Sequence, residues 1–234
     1  MTTETDNIWF FEDVDLYKVF CPHIVKDYEK KTDHCFVPFK KGDFIYFEQD
    51  QASHVYLIKS GNIKIGSYTK EGKETTKAIL GKGEVFGEMA YFGEPNRDDF
   101  AQAVSSNVVV CPLTLQEMQD LMLQHKPFAL KIHRIIGWRR KKAERLIQSL
   151  VFKNSRTRVI EYLLDLAVER GQKVGFETLI KEFHTHKDIG ALTATSRQTV
   201  NTVLNELKKK NLINFDRKRL LIRDIDLLKN EIKE

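Results

Sequence analysis

The side chains with the clearest chemical potential lie in residues 185–207, which read THKDIGALTATSRQTVNTVLNEL. At helical spacing, one face of the second half carries Arg197, Gln198, Asn201, Thr202 and Asn205. Arginine, glutamine and asparagine can each make paired hydrogen bonds to the edges of guanine or adenine in the major groove. The segment therefore indicates a surface that reads base pairs.

The apolar residues of this segment predict the two helices that would present that face. Ile189 and Leu192 lie three residues apart, and a second set follows at spacings of three and four: Val200, Val203, Leu204 and Leu207. Between the two sets lie four small residues, and the last of them, Ser196, is predicted to cap the second helix. Gly190 leaves room for a close crossing. This is helix-turn-helix spacing, although an ordinary helical hairpin with a polar outer face has the same pattern.

A two-stranded wing is predicted after the second helix. The strands are residues 212–215 and 220–222, and the basic turn 216–219 between them could lie on a phosphate backbone. The predicted DNA-contacting residues are Ser196, Arg197, Gln198, Thr199, Asn201, Thr202, Lys208 and Lys218.

Charge is unevenly distributed along the 234 residues, whose net charge is +5. Residues 1–125 hold 13 Lys+Arg against 20 Asp+Glu, and residues 126–234 hold 25 against 13. A basic half that carries a helix-turn-helix pattern suits a polyanion. The alternative, that runs 139–142 and 208–210 are only solvated helix faces, does not explain the segregation.

Glycine and proline divide the chain at the same point, since eight of 12 Gly and four of five Pro precede residue 126. Short apolar segments separated by glycine-bearing turns over residues 36–111 predict an antiparallel, jelly-roll-like β-roll. The expected fold is α+β. Its predicted parts are an effector-sensing roll (1–125), a long linker helix (126–153) and a winged helix-turn-helix (154–234).

The long helix is predicted to begin at Pro127 and to carry an apolar stripe at spacings of three and four. The stripe consists of Phe128, Ile132, Ile135, Ile136, Ala143, Leu146 and Leu150. Such a stripe on a linking helix is typical of a coiled-coil seam between two chains, and the alternative is packing on the chain's own roll. A hinge at Asn154-Ser155 and a further helix ended by Gly171 are predicted to follow.

Cysteine usage and hydropathy bear on the compartment. Cys21, Cys35 and Cys111 are odd in number and widely spaced, which is typical of unpaired thiols in a reducing cytoplasm. No apolar run is long enough for a membrane span, and no signal peptide opens the chain. A cytoplasmic location without membrane contact is expected.

Taken in order, these parts resemble the CRP/FNR family of bacterial transcription regulators. The stretches that carry the resemblance are 81-GKGEVFGEMAYFGEPNR-97, similar to the family's effector-binding cassette, and 195-TSRQTVNTVLNEL-207, similar to its recognition helix. The resemblance implies a homodimer on a palindromic site in double-stranded DNA, which recruits or blocks RNA polymerase. It also marks Gly87, Glu88, Arg97 and Asp98 as effector-pocket candidates.

The cassette departs from the pattern of cyclic-AMP-binding members, in which a Gly-Glu pair contacts the ribose and Arg-Ser holds the cyclic phosphate. Asp98 replaces that serine, with Asp99 beside it, and a carboxylate repels a phosphate. The hydroxyls that the long helix offers to adenine fall on or next to Ala143 and Glu144, which have none. Cyclic AMP is therefore not the expected effector, which stays unidentified. Arg97 is expected to pair with Asp98, Asp99 or Glu88.

The recognition helix also departs from the cyclic-AMP receptor's pattern. Arg197-Gln198 stands where members close to that receptor carry Arg-Glu, and Thr202 replaces a further arginine one turn on.

Other sites receive little support. Haem and metal ions need ligands such as histidine, and the candidates are scattered: His23, His34, His54, His125, His133, His184 and His186. Three cysteines are too few for an iron–sulfur site in one chain. Residues 36–111 contain only His54 for a cupin-like metal enzyme, so no catalytic residue, metal ligand or cofactor is predicted. A regulator that acts by protein contact alone is the other alternative.

Overall fold

The computed structural model describes residues 36–124, 126–181 and 183–232. Cys21, Cys35, His23, His34 and His125, considered above, lie outside the described residues. The chain divides into two compact units, and the boundary in sequence falls between Gly137 and Trp138.

The first unit is built on two four-stranded antiparallel sheets, and the predicted β-roll is confirmed. The strands are β1 (Val37–Lys40), β2 (Phe44–Tyr46), β3 (His54–Ser60), β4 (Ile63–Tyr68), β5 (Glu74–Leu80), β6 (Val85–Phe86), β7 (Phe100–Ala103) and β8 (Asn107–Thr114). Their orders are β1-β8-β3-β6 and β2-β7-β4-β5. A 3₁₀ helix (Glu88–Phe92) separates β6 from β7.

Both faces of the first sheet contribute side chains to a core, since successive side chains of a strand point to opposite faces. On β3, Val55 and Leu57 belong to a core shared with helices, whereas Ile58 belongs to the core that contains residues of the other sheet. Helices α1 (Leu115–Gln124) and α2 (Lys126–Phe152) follow β8. Thr114 and Glu117 form the reciprocal hydrogen bonds of a capping box that opens α1.

The apolar stripe of α2 has two environments. Phe128 and Ile132 are buried with Val55 and Leu57 of the roll, so the prediction of an intermolecular seam is wrong for these two residues. Packing on the chain's own roll is correct there. Further along α2, four apolar side chains are 39 to 69% exposed: Leu146, Ile147, Leu150 and Val151.

The second unit combines helices with a small sheet. After α2 come α3 (Ser155–Arg170), β9 (Gly171–Val174), β10 (Glu177–Lys181), α4 (His186–Leu192), α5 (Arg197–Lys209), β11 (Ile213–Phe215), β12 (Arg219–Ile222) and α6 (Ile225–Asn230). The sheet order is β11-β12-β10-β9. The predicted wing therefore exists, but it is not two-stranded, since β12 also pairs with β10.

Gly171 ends α3 as predicted, for a reason that the sequence did not indicate. Its φ of −70° lies in the extended region and not in the left-handed one. A Cβ at this position would lie 2.2 Å from the Ala167 carbonyl oxygen and 2.5 Å from Cγ2 of Thr178. Glycine is needed here because β9 and β10 pack closely against the end of α3.

Over the described residues, no helix combines the length and the apolar character that a membrane span requires.

Candidate nucleic-acid interface and effector site

Helix α5 separates an apolar face from a polar one as predicted. Its buried residues are Val200, Val203, Leu204 and Leu207, which belong to one core with α3 and the sheet. Ser196 caps the helix, because its Oγ accepts a 3.0 Å hydrogen bond from the backbone N–H of Thr199. The opposite face, with Arg197, Gln198, Asn201, Thr202 and Asn205, is exposed.

The exposed side chains of α5 differ in how far they are already occupied. Thr202 Oγ1 donates to the carbonyl oxygen of Gln198 at 3.1 Å, and Asn205 Nδ2 donates to that of Asn201 at 2.9 Å. The Thr202 hydroxyl is therefore already bonded, which leaves the methyl group as the unbonded part of this exposed side chain. Within the described part of the chain, the side chains of Arg197 and Gln198 make no hydrogen bond, so both can reach the edge of a base.

A tight turn joins α4 to α5. Thr195 donates its backbone N–H to the Gly190 carbonyl oxygen at 2.8 Å, and a Cβ on Gly190 would lie 2.9 Å from the Thr195 oxygen. The predicted close approach at Gly190 is therefore confirmed, although the neighbour is the turn itself. Ala194 has a φ of +48°, in the left-handed region.

The wing is held in a fixed place beside the recognition helix. Oδ1 of Asp216 accepts the backbone N–H of Lys218 at 2.7 Å and that of Arg219 at 2.8 Å, which lowers the pKa of the carboxyl. The Lys218 carbonyl oxygen in turn accepts the N–H of Phe183, which precedes α4, at 2.9 Å. Lys208 of α5 places Nζ 5.2 Å from the ring centroid of Phe215 in β11. Helix α5 and the basic turn thus form one surface.

The two histidines before α4 have different surroundings. The ring of His184 hydrogen-bonds through Nδ1 to the Tyr162 hydroxyl, and Nε2 is buried with no hydrogen-bond partner among the residues that the structure describes. Burial, aided by the positive charges of Arg170 and Lys142, lowers the pKa of His184 to about 3. Burial therefore keeps the His184 ring neutral near pH 7. Burial and the charge of Arg197 also lower the pKa of His186, which is partly exposed. Among the described residues, no three His, Cys, Asp or Glu side chains cluster as a metal site requires.

In the cassette, Arg97 is a buried cation bonded to backbone. It is 4% exposed, Nη1 donates to the Gly87 carbonyl oxygen at 2.9 Å, and Nη2 donates to that of His54 at 2.5 Å. Its guanidinium lies 4.4 Å from the centroid of the Tyr46 ring. Gly87 has a φ of +72°, and a Cβ there would lie 2.9 Å from Nη1, so the contact requires glycine.

The expected pairing of Arg97 with Asp98, Asp99 or Glu88 is wrong, because both Nη atoms donate to carbonyl oxygens instead. Asp98 and Asp99 lie 3.5 and 3.7 Å from Nζ of Lys77. Asp99 also accepts a 3.1 Å hydrogen bond from the Tyr46 hydroxyl. Burial raises the pKa of Asp99, and burial together with the negative charge of Asp99 raises the pKa of Tyr46. Tyr46 and Lys77 contact Asp98 or Asp99, but no local sequence motif had indicated these two residues.

Comparison with known proteins identifies both units. Residues 36–125 match the cyclic nucleotide-binding domain, and residues 157–231 match the Crp-like helix-turn-helix domain. The chain is 26% identical over 192 residues to the CRP-like cAMP-activated global transcriptional regulator of Mycobacterium tuberculosis, covering 82% of this chain and 85% of that protein. It is 28% identical over 190 residues to the cyclic AMP receptor protein of Thermus thermophilus, covering 81% and 84%.

A solved structure is similar over most of the chain. A CooA mutant from Carboxydothermus hydrogenoformans matches with a TM-score of 0.75 and 25% identity, over 94% of this chain and 96% of that one. Both domain models match in this order, and the relatives and the solved structure align along most of the chain. The chain therefore belongs to the CRP/FNR family and is a DNA-binding transcription regulator.

Proposed function

We propose that the chain acts as a homodimer on an inverted-repeat operator, with α5 of each copy in a major groove. The exposed apolar side chains Leu146, Ile147, Leu150 and Val151 support the dimer. They recur at spacings of three and four, so they lie on one face of α2. A second copy of α2 packed along this face would remove that apolar surface from water.

The proposed base contacts are Arg197, Gln198, Asn201 and Thr202, and the proposed phosphate contacts are Ser196, Thr199, Lys208 and Lys218. The observation that carries the proposal is the two-sided character of α5. Its apolar face is fully used in the core, whereas Arg197 and Gln198 are exposed and make no hydrogen bond within the described residues. Side chains with this geometry can pair with guanine and adenine edges.

The roll is proposed to control DNA binding through an effector other than a cyclic nucleotide, with Gly87, Glu88, Arg97 and Asp98 in or beside its pocket. The relatives named above are cyclic-AMP proteins by their descriptions. In this chain, however, Arg97 donates to two backbone carbonyls and Asp98 replaces the phosphate-binding serine. The residues that would hold a cyclic phosphate are therefore occupied or altered.

The bound dimer is further proposed to recruit or block RNA polymerase. The Mycobacterium tuberculosis relative is a transcriptional regulator by its description, and this role supports a contact with polymerase over an enzymatic activity for this chain.

Selection from random double-stranded DNA with the full-length protein tests the proposal. We expect enrichment of an inverted repeat whose half-sites are one helical turn apart, about 34 Å between centres. The variant Arg197→Ala should lose that enrichment, whereas Glu169→Gln, on α3, should keep it. Enrichment of single unpaired half-sites, or of no sequence at all, would refute the proposal.

A further inference from the structure

Arg158, in the first turn of α3, bonds to two separate segments of the second unit. Nε donates to the Thr193 carbonyl oxygen at 2.8 Å, and Nη2 donates to that of Ala194 at 3.0 Å. Both oxygens belong to the turn between α4 and α5. Nη1 donates to the carbonyl oxygen of Lys153, directly after α2, at 2.8 Å.

The turn between α4 and α5 receives hydrogen bonds from Arg158 at two carbonyl oxygens. Ala194 has a φ of +48°, a conformation that residues with a side chain rarely adopt. The N–H groups of the turn bond back to α4, from Ala194 to Ala191 at 3.2 Å and from Thr195 to Gly190 at 2.8 Å. The carbonyl oxygens of residues 193 and 194 face the other way and receive the Arg158 guanidinium, whose planar fork suits several acceptors at once.

Lys153, the other residue that Arg158 contacts, is itself held by hydrogen bonds and an ion pair. The Lys153 N–H donates to the Ser149 carbonyl oxygen at 3.0 Å, which continues the bonding pattern of α2. Lys153 Nζ forms an ion pair with Glu161 of α3, and Ser149 Oγ donates to the same carboxylate at 3.4 Å. The end of α2 is thereby attached to α3, beside the exposed apolar residues 146–151.

We propose that Arg158 is a positioning residue. It fixes the start of the recognition helix α5 relative to the end of α2, the helix of the proposed dimer contact, and so sets which half-site spacing the dimer accepts. The inference rests on the proposed dimer. Because Arg158 bonds to the turn and to the residue after α2 at once, removing it frees each recognition helix to shift. It leaves the base-reading side chains of α5 unchanged.

Arg156 provides a matched control on the same turn of α3. It is also half-buried, and its guanidinium donates to Glu206 at 2.9 Å and to the Glu231 carbonyl oxygen at 2.9 Å. These partners lie in the second half of α5 and near the C-terminus, away from the α4–α5 turn and Lys153. Arg156→Met therefore removes a comparable set of polar contacts and keeps the contact between α2 and the turn.

The experiment compares full-length wild type, Arg158→Met and Arg156→Met on the selected operator and on versions with one base pair added or removed at the centre. The wild type should lose affinity on the order of 100-fold at the altered spacings, because both half-sites can no longer be bound together. Arg158→Met should reduce this penalty to less than about tenfold, with unchanged base preference within the half-site. Arg156→Met should keep the wild-type penalty.

The outcomes separate the inference from the proposed function. A wild-type spacing penalty retained in Arg158→Met overturns the role of Arg158. Equal wild-type affinity at all spacings overturns the dimer model instead. Should Arg158→Met unfold, the double variant Arg158→Met/Ala194→Gly keeps the test available, since glycine adopts a positive φ without a steric penalty. That variant should fold and still tolerate altered spacing, and a restored penalty counts against the inference.

Discussion

Nη1 of Arg97 donates a 2.9 Å hydrogen bond to the carbonyl oxygen of Gly87, and the absence of a side chain at residue 87 is what permits this contact. Nη2 donates to the His54 carbonyl oxygen. The cation that would meet a cyclic phosphate is thus already bonded to backbone on both terminal nitrogens. A phosphate would have to replace two charge-assisted hydrogen bonds of a buried group.

The first prediction follows from this contact. Titration calorimetry with cyclic AMP or cyclic GMP should show no binding at physiological concentrations, and DNA binding should need neither. Asp98→Ser alone should not create affinity, because Arg97 keeps its carbonyl partners and Ala143 and Glu144 offer no hydroxyl to a purine. Micromolar binding of either nucleotide to the unmodified protein would contradict the prediction.

The second prediction concerns the apolar face of α2. Leu150→Glu places a charge among Ile147, Val151 and their neighbours, and burying an unpaired carboxylate at a dimer interface is costly. Sedimentation analysis at micromolar concentration should show a dimer for the wild type and a monomer for the variant. The variant should also bind the inverted repeat far more weakly than the wild type.

A control for this test is available on α3. Val168 is 66% exposed, so Val168→Glu adds the same charge at another exposed apolar position of the second unit. It should remain dimeric. A monomeric wild type, or a dimeric Leu150→Glu variant, would exclude α2 as the dimer contact.

Local patterns predicted the recognition helix well, because its geometry depends on neighbours in sequence. Val200, Val203, Leu204 and Leu207 lie at helical spacing and are all buried, and Ser196 caps the helix that follows it. The stripe of α2 shows where periodicity is insufficient. Phe128 and Ile132 have the same spacing of four as Leu146 and Leu150, yet only Phe128 and Ile132 are buried in the roll.

Partners distant in sequence account for what was missed. Strand β10 pairs Leu179 with Leu221 of β12, and such pairing leaves little local signal in residues 171–181. Arg97 was expected to bond to adjacent carboxylates, but it bonds to the carbonyl oxygen of His54, 43 residues away. Backbone acceptors exist at every residue, so no sequence motif identifies which one a buried arginine reaches.

The third prediction tests the wing through salt dependence. Each lysine that neutralises a phosphate adds roughly 0.9 to the slope of log affinity against log salt. Lys218→Ala should weaken binding about equally for all DNA sequences and reduce that slope by roughly two per dimer. The Asp216 hydrogen bonds to the backbone of the turn remain in this variant, so the turn should keep its shape. A changed base preference would show that Lys218 is placed wrongly at the phosphates.

The fourth prediction concerns pH and His184. Burial holds the pKa of this imidazole at about 3, against an ordinary 6.5, so the unfolded chain binds a proton that the folded chain does not. Stability from this group is present above pH about 6.5 and is lost as the pH falls towards 3, at up to about 1.4 kcal/mol per pH unit.

Calorimetric unfolding at pH 7.5 and 5.5 measures this effect. Between these values the wild type should lose about 1.4 kcal/mol more than His184→Gln, whose side chain can still face Tyr162 but does not titrate. Near pH 7.5, the difference in unfolding free energy between the two proteins should not change with small changes in pH. Identical losses in both proteins would show that His184 is not the group responsible.

The last prediction is the base preference of α5. Gln198 can donate and accept, which matches the N6 and N7 edge of adenine, whereas the glutamate of receptor-like family members only accepts and suits the amino group of cytosine. Thr202, whose hydroxyl bonds to the Gln198 carbonyl, offers a methyl group that can contact the thymine methyl. Arg197 should select one guanine per half-site. We therefore expect a half-site that contains this guanine and whose neighbouring positions are richer in A·T than those of the cyclic-AMP receptor's half-site.

The substitution Gln198→Glu should shift the preference at one position towards C·G by about 1–3 kcal/mol. Selection from random DNA with both proteins measures the shift, with Asn205→Ala, on the same face, as the control that should leave this position unchanged. Unaltered preference after Gln198→Glu would mean that Gln198 does not face the bases.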